Sequence, residues 1–229
     1  MRIFAIETSA KAASVCITED GKLISQYFQN TGLTHSRTVL QMAEDMLKST
    51  ELTVQDMDVI AAAKGPGSFT GIRIGVAAAK GLAWAADKKM CGVSTLEAMA
   101  FNAFPAEGEI ICAVMDARRG QVYSAVFKND GGSLIRLCPD RAISIQELIK
   151  DLEEAGGVRT AVGDGADILV SAGKEAGLRI AAAPENIKMQ AAYGVALAAA
   201  KSEPEDDIIP NYLRLSQAER ERLEHGGRI

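Results

Sequence analysis

The stretch Lys64-Gly65-Pro66-Gly67-Ser68-Phe69-Thr70-Gly71 decides the fold, because it joins a short apolar run to a long apolar one. The run before it, Asp58 to Ala63, is typical of a buried strand, which the Gly-Pro-Gly sequence ends. Ser68 can then cap a helix that reaches to about Ala86. The stretch therefore predicts a strand that turns directly into a long helix.

The same stretch is a candidate anion site. Glycines let backbone amides approach a phosphate, and the amino terminus of a helix adds about half a positive charge. Gly65, Gly67 and Ser68 are therefore candidate nucleotide-binding residues. The Gly-Lys-Ser/Thr of a P-loop does not follow. A strand-to-helix turn capped by Ser68 explains the same residues without a ligand, and the spacing alone favours that structural interpretation.

The sequence predicts the same order of elements in each half of the chain: three strands, a helix, a strand and a helix. In the first half, the patterns predict strands at Ile3–Ile6, Ser14–Thr18 and Leu23–Phe28, and a helix at Thr34–Lys48. Further along, they predict a helix at Thr95–Ala103, a break at Pro105, strands at Ile110–Met115, Gln121–Phe127, Leu134–Cys138 and Arg159–Val162, and helices at Ser144–Ala155, Ala166–Glu175 and Lys188–Lys201. Each half also places an acid just past its first strand, Glu7 in one and Asp116 in the other. We infer an architectural duplication.

Two such units predict, by fold analogy, an α/β protein of the actin-like (ASKHA) class, which includes sugar kinases and Hsp70. Residues 1–104 and 105–207 are the two expected subdomains, each with a mixed sheet flanked by helices. Ser202 to Asp207 is typical of an acidic connector. The terminal segment 208–225, with a helix over Ala218–Glu224, is expected to pack back on the first subdomain.

In this fold a nucleotide occupies the cleft between the halves, so Glu7 and Asp116 become its candidate contacts. Glu7 stands where an aspartate is usual, and Ser9-Ala10 stands where a phosphate-contacting glycine is usual. The loop therefore does not predict efficient Mg-ATP chemistry. Arg118 and Arg119 can clamp an anion beside Asp116, although a solvated hairpin turn is the more common place for such a pair.

A ridge of small residues runs along the long helix. Gly71, Gly75 and Ala79 recur every fourth residue, and each interior glycine costs about 1 kcal/mol relative to alanine. The ridge predicts close packing, either against the chain's own sheet or against a partner. Met42 and Met46 on the first helix are adaptable apolar contacts and complete the candidate partner interface.

No catalytic or metal-binding set is evident in the sequence. His35 has Val39, not a second histidine, four residues on, and the only other histidine is His225. A Gly-x-Ser-x-Gly nucleophile elbow is also missing. The four cysteines are far apart in sequence, so we expect reduced, mostly packed thiols. We therefore predict no metal and no required cofactor.

Composition and charge narrow the functional classes further. The 229 residues are 48% hydrophobic and 24% charged, which is typical of one large or two small globular units. The formal net charge of -5 excludes a general polyanion clamp, so any nucleic-acid contact must be local or supplied by a partner. Neither a secretory h-region nor an apolar span of roughly 20 residues is present. A cytoplasmic protein without a membrane contact is expected.

Five motifs resemble one family: Ala5-Ile6-Glu7-Thr8-Ser9, Lys64 to Gly75, Gly92 to Ala98, Met115 to Tyr123, and Pro210 to Arg214. Together they are similar to the bacterial TsaB family, also called YeaZ, over residues 3 to about 220. The resemblance implies an actin-like fold and a role in making threonylcarbamoyladenosine at position 37 of tRNAs that read codons starting with A. In that family the catalytic subunit is a paralogue, TsaD, with a His-x-x-x-His metal pair. His35 stands where that pair begins, but Val39 ends the match.

The resemblance therefore implies a non-catalytic partner of a TsaD-type transferase subunit. A small ATPase, TsaE, is implied to join the complex, where ATP is then a possible ligand, and tRNA is contacted mainly through the complex. A homodimer is implied for the chain alone. The alternatives are an independent actin-like kinase, a metallopeptidase, and a self-associating protein that uses the same surface as a store or competitor.

Overall fold

The computed structural model describes residues 1–104, 106–157 and 159–214. The predicted break at Pro105, the predicted helix at Ala218–Glu224 and the rest of segment 215–225 lie outside the described residues. The strands are β1 (Arg2–Glu7), β2 (Ala13–Glu19), β3 (Lys22–Gln29), β4 (Val59–Gly65), β5 (Lys89–Ser94), β6 (Ile110–Asp116), β7 (Gln121–Asp130), β8 (Ser133–Arg136), β9 (Arg141–Ser144), β10 (Arg159–Val162) and β11 (Ile180–Ala182). The helices are α1 (His35–Ser49), α2 (Phe69–Ala86), α3 (Thr95–Ala103), α4 (Ile145–Ala155), α5 (Ala166–Glu175), α6 (Glu185–Lys188) and α7 (Ala192–Ala199).

The first sheet is mixed and has the order β3-β2-β1-β4-β5. Strand β1 pairs antiparallel with β2 and parallel with β4, so Ala5 lies between Cys16 and Ala61. Because side chains alternate along a strand, Phe4 and Ile6 pack under α1 and α2, whereas Ile3 and Ala5 pack under α7. This sheet is covered by helices on both faces.

The second sheet repeats the plan with the order β11-β10-β6-β7-β8, and β9 also pairs with β7. Strand β6 pairs antiparallel with β7 and parallel with β10. Helices α4 and α5 cover one face, and α3 covers the other. The carboxyl ends of β1 and β6 therefore hold equivalent positions in the two halves, as the acids Glu7 and Asp116 predict.

The two halves exchange one helix each. Helix α3 follows the first sheet but packs on the second, whereas α7 lies in the predicted subdomain 105–207 but packs on the first. The two helices meet so closely that a Cβ atom on Gly194 would lie 2.0 Å from the carbonyl oxygen of Ala98. The predicted boundary after residue 104 therefore separates the sheets but not these helices.

The predicted helix at Lys188–Lys201 is wrong in its first part. The structure has the short helix α6, then extended backbone at Met189 to Ala191, then α7. Backbone bonding explains the interruption, because the Lys188 carbonyl accepts a hydrogen bond from the Gly163 amide at 2.7 Å. Strands β5, β9 and β11 were not predicted, since they have only 6, 4 and 3 residues and give no clear alternating pattern.

The acidic connector is part of the first half and not a free linker. Glu205 and Met90 exchange two backbone hydrogen bonds of 2.9 and 2.6 Å, which covers the edge of β5. Carboxylates of the same segment pair with lysines of the first half: Glu205 with Lys64 at 3.8 Å, Asp207 with Lys80 at 2.6 Å, and Asp206 with Lys89. Ile208 is then buried in the core beneath α1 and α2. The segment is consequently anchored before it reaches the cleft.

Candidate functional site

A cleft of about 690 Å³ lies at the carboxyl ends of β1 and β6. Both halves and the terminal segment contribute to its walls. Its lining includes Ser9, Lys11, Gly67, Ser68, Phe69, Asp116, Arg118, Tyr123, Asp164, Tyr212 and Arg214. Of the five candidate nucleotide contacts, Gly67, Ser68 and Asp116 line the cleft, whereas Gly65 and Glu7 do not.

The glycines of the loop between β4 and α2 face the chain's own carbonyl oxygens. A Cβ atom on Gly67 would lie 2.4 Å from the Ser9 oxygen, and one on Gly65 would lie 2.4 Å from the Asn211 oxygen. The Ser68 amide also donates to the Ser9 oxygen at 2.7 Å, and the Ser68 hydroxyl accepts from the Gly71 amide at 3.2 Å. A phosphate needs free N–H donors at such a loop. The Ser68 amide is therefore already used within the chain and is not free for a phosphate.

The small-residue ridge of α2 packs inside the molecule. A Cβ atom on Gly71 would lie 2.1 Å from the Thr8 carbonyl oxygen, and one on Gly75 would lie 2.3 Å from the Thr8 hydroxyl. That hydroxyl donates to the Gly71 oxygen at 2.8 Å, and Ala79 is fully buried. Close contact with the loop after β1 therefore explains the ridge, which corrects the expectation that Gly71, Gly75 and Ala79 face a partner.

The two methionines of the candidate interface also point inward. Met42 and Met46 lie in the core between α1 and the first sheet, and Met46 has no exposed surface. Leu40, on the same helix, is 54% exposed. The apolar side chain that α1 presents to solvent is therefore Leu40 and neither methionine.

Glu7 is a buried carboxyl behind the cleft. Its Oε1 atom accepts a hydrogen bond from the Ser9 amide at 2.6 Å, and its Oε2 atom has no partner. Burial raises the pKa of Glu7 to about 7, against hydrogen bonding by Ser9, which lowers it. Because Glu7 has no exposed surface, it organises the loop at Ser9 and does not contact a ligand in the cleft.

Two carboxyls do reach the cleft. Asp116 is exposed and accepts a hydrogen bond from the Arg118 amide at 2.7 Å. Asp164 follows β10, and burial raises its pKa, while a hydrogen bond from Gln190 opposes that effect. Gly163-Asp164-Gly165 has a sequence typical of a turn, and Asp164 was not among the candidate contacts. Its position after a strand of the second half was the signal for a cleft residue.

The terminal segment supplies an aromatic and cationic rim that sequence reasoning missed. The ring of Tyr212 packs against that of Phe69 with centroids 4.6 Å apart. The Arg73 guanidinium lies 3.8 Å from the Phe69 centroid and donates to the Tyr212 hydroxyl at 2.9 Å. Arg214 then crosses to the second half and donates to the carbonyl of Ala117. This segment therefore connects the two sides of the cleft.

His35 has a structural contact. Its Nε2 atom donates to the Ala10 carbonyl at 2.7 Å, and Val39 is buried in the core one helical turn later. Over residues 1–104, 106–157 and 159–214, no three His, Cys, Asp or Glu side chains come together as metal ligands. Within those ranges, no helix combines the length and the apolar character that crossing a membrane requires.

Comparison with protein families gives a specific match. Residues 29–171 match the family described as TsaD, tRNA N6-adenosine threonylcarbamoyltransferase. A tRNA threonylcarbamoyladenosine biosynthesis protein TsaB from Escherichia coli is 36% identical over 180 residues, which are 78% of each chain. The protein of the same description from Bacillus subtilis is 35% identical over 154 residues, or 67% of each chain.

Solved structures are similar over nearly the whole chain. The structure described as YeaZ from Pseudomonas aeruginosa is 24% identical and has a TM-score of 0.78, covering 93% of this chain and 99% of that one. The ethanolamine utilization protein EutJ from Carboxydothermus hydrogenoformans, at 13% identity, has a TM-score of 0.52 and covers 86% and 90% of the two chains. These likenesses and the two mixed sheets confirm the predicted α/β, actin-like fold.

Proposed function

We propose, because this chain belongs to the TsaB family of tRNA threonylcarbamoyladenosine biosynthesis proteins, that it acts in that pathway as the non-catalytic partner of a TsaD-type transferase subunit. The reaction supported is the N6-threonylcarbamoylation of adenosine 37 in tRNAs that read codons starting with A. Its site of action is the cytoplasm, where tRNA is modified.

One observation carries the non-catalytic role. The family resemblance implies that a TsaD-type subunit holds its metal with two histidines four residues apart, and in this chain the position four residues after His35 is Val39. Val39 packs in the hydrophobic core, and His35 is already bonded to the Ala10 carbonyl. This helix is therefore used for packing in the present chain, and the transferase chemistry belongs to the partner.

The outer faces of α1 and α2 are the proposed docking face. On α2, the exposed positions Ala77, Gly81, Trp84 and Ala85 recur at helical spacing, and Trp84 is 89% exposed. Leu40 of α1 adds a second exposed apolar side chain. Large apolar side chains at this exposure mark protein interfaces. Because the partner resembles this chain in the same region, α1 and α2 of both subunits can form a four-helix contact.

The same face gives the chain its proposed homodimer when the transferase subunit is absent. In the complete assembly, a TsaE-type ATPase joins the pair, and ATP is a ligand of the complex and not of this chain alone. An independent kinase or a metallopeptidase is not favoured. The relatives are named for tRNA modification, and the loop glycines face carbonyl oxygens.

Charge substitution on the docking face tests the proposal. Leu40→Glu combined with Trp84→Glu should lower the affinity for the transferase subunit at least tenfold, because both substitutions place charge in an apolar contact. Sedimentation velocity with the purified transferase subunit measures the affinity, and circular dichroism measures the fold. Ile168→Glu is the matched control, since Ile168 is 42% exposed on the second half. Unchanged binding by the folded double variant would contradict this docking face.

A further inference from the structure

Three cations line the cleft and a fourth, Arg73, lies beside it in contact with Phe69 and Tyr212; the four come from separate parts of the sequence. Lys11 follows β1, Arg73 lies on α2, Arg118 lies in the turn after β6, and Arg214 lies in the terminal segment. The cleft also contains the carboxyls Asp116 and Asp164. Three lining cations against two carboxyls leave the lining with a formal charge of +1 in a chain whose net charge is -5.

Two of these cations, Arg73 and Arg214, are held in place by neutral groups. Arg73 packs on the Phe69 ring and bonds the Tyr212 hydroxyl, and Arg214 bonds backbone carbonyls. Among the described residues, none of the four forms an ion pair with a carboxylate oxygen within 4.0 Å, whereas Lys64, Lys80 and Lys89 of the first half are all paired. Uncompensated cations fixed by neutral contacts are suited to an anionic ligand.

The turn that carries Arg118 is built in an uncommon conformation. Arg118 and Arg119 have φ angles of 63° and 55°, in the left-handed region that favours glycine or asparagine. The Gln121 amide donates to the Arg118 oxygen at 3.2 Å, and Arg214 contacts the same turn. Strained residues of this kind persist where the surrounding structure enforces them, often at ligand sites.

Aromatic rings complete the site. Tyr212 is 38% exposed beside Phe69, and Tyr123 lies on the opposite wall of the cleft. Aromatic side chains interleaved with lysine and arginine bind single-stranded nucleic acid by stacking bases and contacting phosphates.

We infer that the mouth of this cleft binds a single-stranded segment of RNA, with a base against the Phe69 and Tyr212 rings and phosphates on Lys11 and Arg118. The inference rests on the proposed function, which supplies a tRNA as the substrate of the complex. RNA fits better than a free nucleotide for two reasons. The lining cations Lys11 and Arg118 come from opposite halves of the cleft and can contact separate phosphates, and the Ser68 amide at the helix start is already bonded to the Ser9 oxygen.

A binding titration of the full chain tests the inference. The probe is a fluorescein-labelled anticodon stem-loop RNA of a tRNA that reads a codon starting with A, titrated at low salt by fluorescence anisotropy. The test variant is Lys11→Gln with Arg118→Asn, because asparagine tolerates the left-handed φ of position 118. The matched control is Lys150→Gln with Lys174→Gln, which removes two exposed cations from α4 and α5.

The test variant should bind the stem-loop about tenfold more weakly than the unmodified chain. The slope of log K against log salt concentration should become shallower by about 1.4, because each of the two lost phosphate contacts contributes roughly 0.7. The control variant should retain the binding of the unmodified chain. Any of three results would overturn the inference: no binding by the unmodified chain, equal losses in the test and control variants, or equal affinity for a blunt RNA duplex.

A competition arm separates RNA from a free nucleotide. Full displacement of the stem-loop by an equimolar amount of ATP would overturn the inference in favour of a nucleotide site, whereas retention of the RNA supports it. The proposed function has its own readout, which is the tRNA modification supported by the unmodified chain with the transferase subunit. Failure of that assay with intact RNA binding would count against the function and not against the site.

Discussion

Replacing glycines along α2 by alanine should separate the buried ridge from the exposed face of the same helix. Alanine is favoured over glycine in a helix interior by about 0.5 to 1 kcal/mol. At Gly81 a Cβ atom meets nothing within 4 Å, so Gly81→Ala should raise the free energy of unfolding by about that amount. At Gly71 the same atom would lie 2.1 Å from the Thr8 carbonyl oxygen, and backbone must move to admit it.

Overpacking of this kind costs about 1 to 3 kcal/mol, which exceeds the gain in helix propensity. Gly71→Ala should therefore lower the free energy of unfolding by about 1 to 2 kcal/mol, and the two variants should differ by about 2 kcal/mol. Urea unfolding followed by circular dichroism gives the free energies. For a chain of this size, 1 kcal/mol corresponds to a shift of about 2 to 4 °C in Tm, which provides a second measurement. Equal stability of the two variants would refute the packing of Gly71 against Thr8.

Two further predictions concern the terminal segment and the buried acid. Ile208→Ala should lower the free energy of unfolding in urea by about 2 to 4 kcal/mol, because Ile208 is buried in the core. Ile209→Ala is the control: Ile209 is 75% exposed, so this substitution should change the same free energy by less than about 0.5 kcal/mol. Equal effects would contradict the anchoring of this segment. Glu7 has its pKa raised from 4.5 to about 7, so the folded state holds its proton more tightly and the stability from this group falls as pH rises between those values. Glu7→Gln should therefore gain stability over the unmodified chain by up to about 3 kcal/mol between pH 4.5 and 7, with no further gain above pH 7. If the difference in unfolding free energy between Glu7→Gln and the unmodified chain does not change over this pH range, the burial of Glu7 is contradicted.

The elements with strong local signals were predicted from the sequence. Ser68 caps α2 as expected, and the reciprocal bonds of Ser144 and Glu147 begin α4. Both depend on residues within one helical turn of each other. Strand β5 depends instead on β4 and on Glu205, which is more than a hundred residues away. Local patterns carry no information on such a pairing.

The candidate site was predicted only in part, for a related reason. An apolar side chain on an amphipathic helix suits the core and a partner surface equally, so Met46 and Leu40 were indistinguishable before α1 was packed. The cleft rim forms only when Tyr212 reaches Phe69 and Arg214 reaches Ala117. No single segment of the sequence contains that combination of rings and cations.

Reconstituted tRNA modification tests the central claim most directly. Purified chain, transferase subunit and TsaE-type ATPase are combined with threonylcarbamoyl-adenylate, ATP and a tRNA that reads a codon starting with A, and each protein is omitted in turn. Modified adenosine is measured by mass spectrometry after nuclease digestion. The complete mixture should form product, whereas this chain alone should form none, because Val39 occupies the position of the second metal-binding histidine. Product formed by the chain alone, or an unchanged rate when only this chain is omitted, would contradict its role as a required non-catalytic partner.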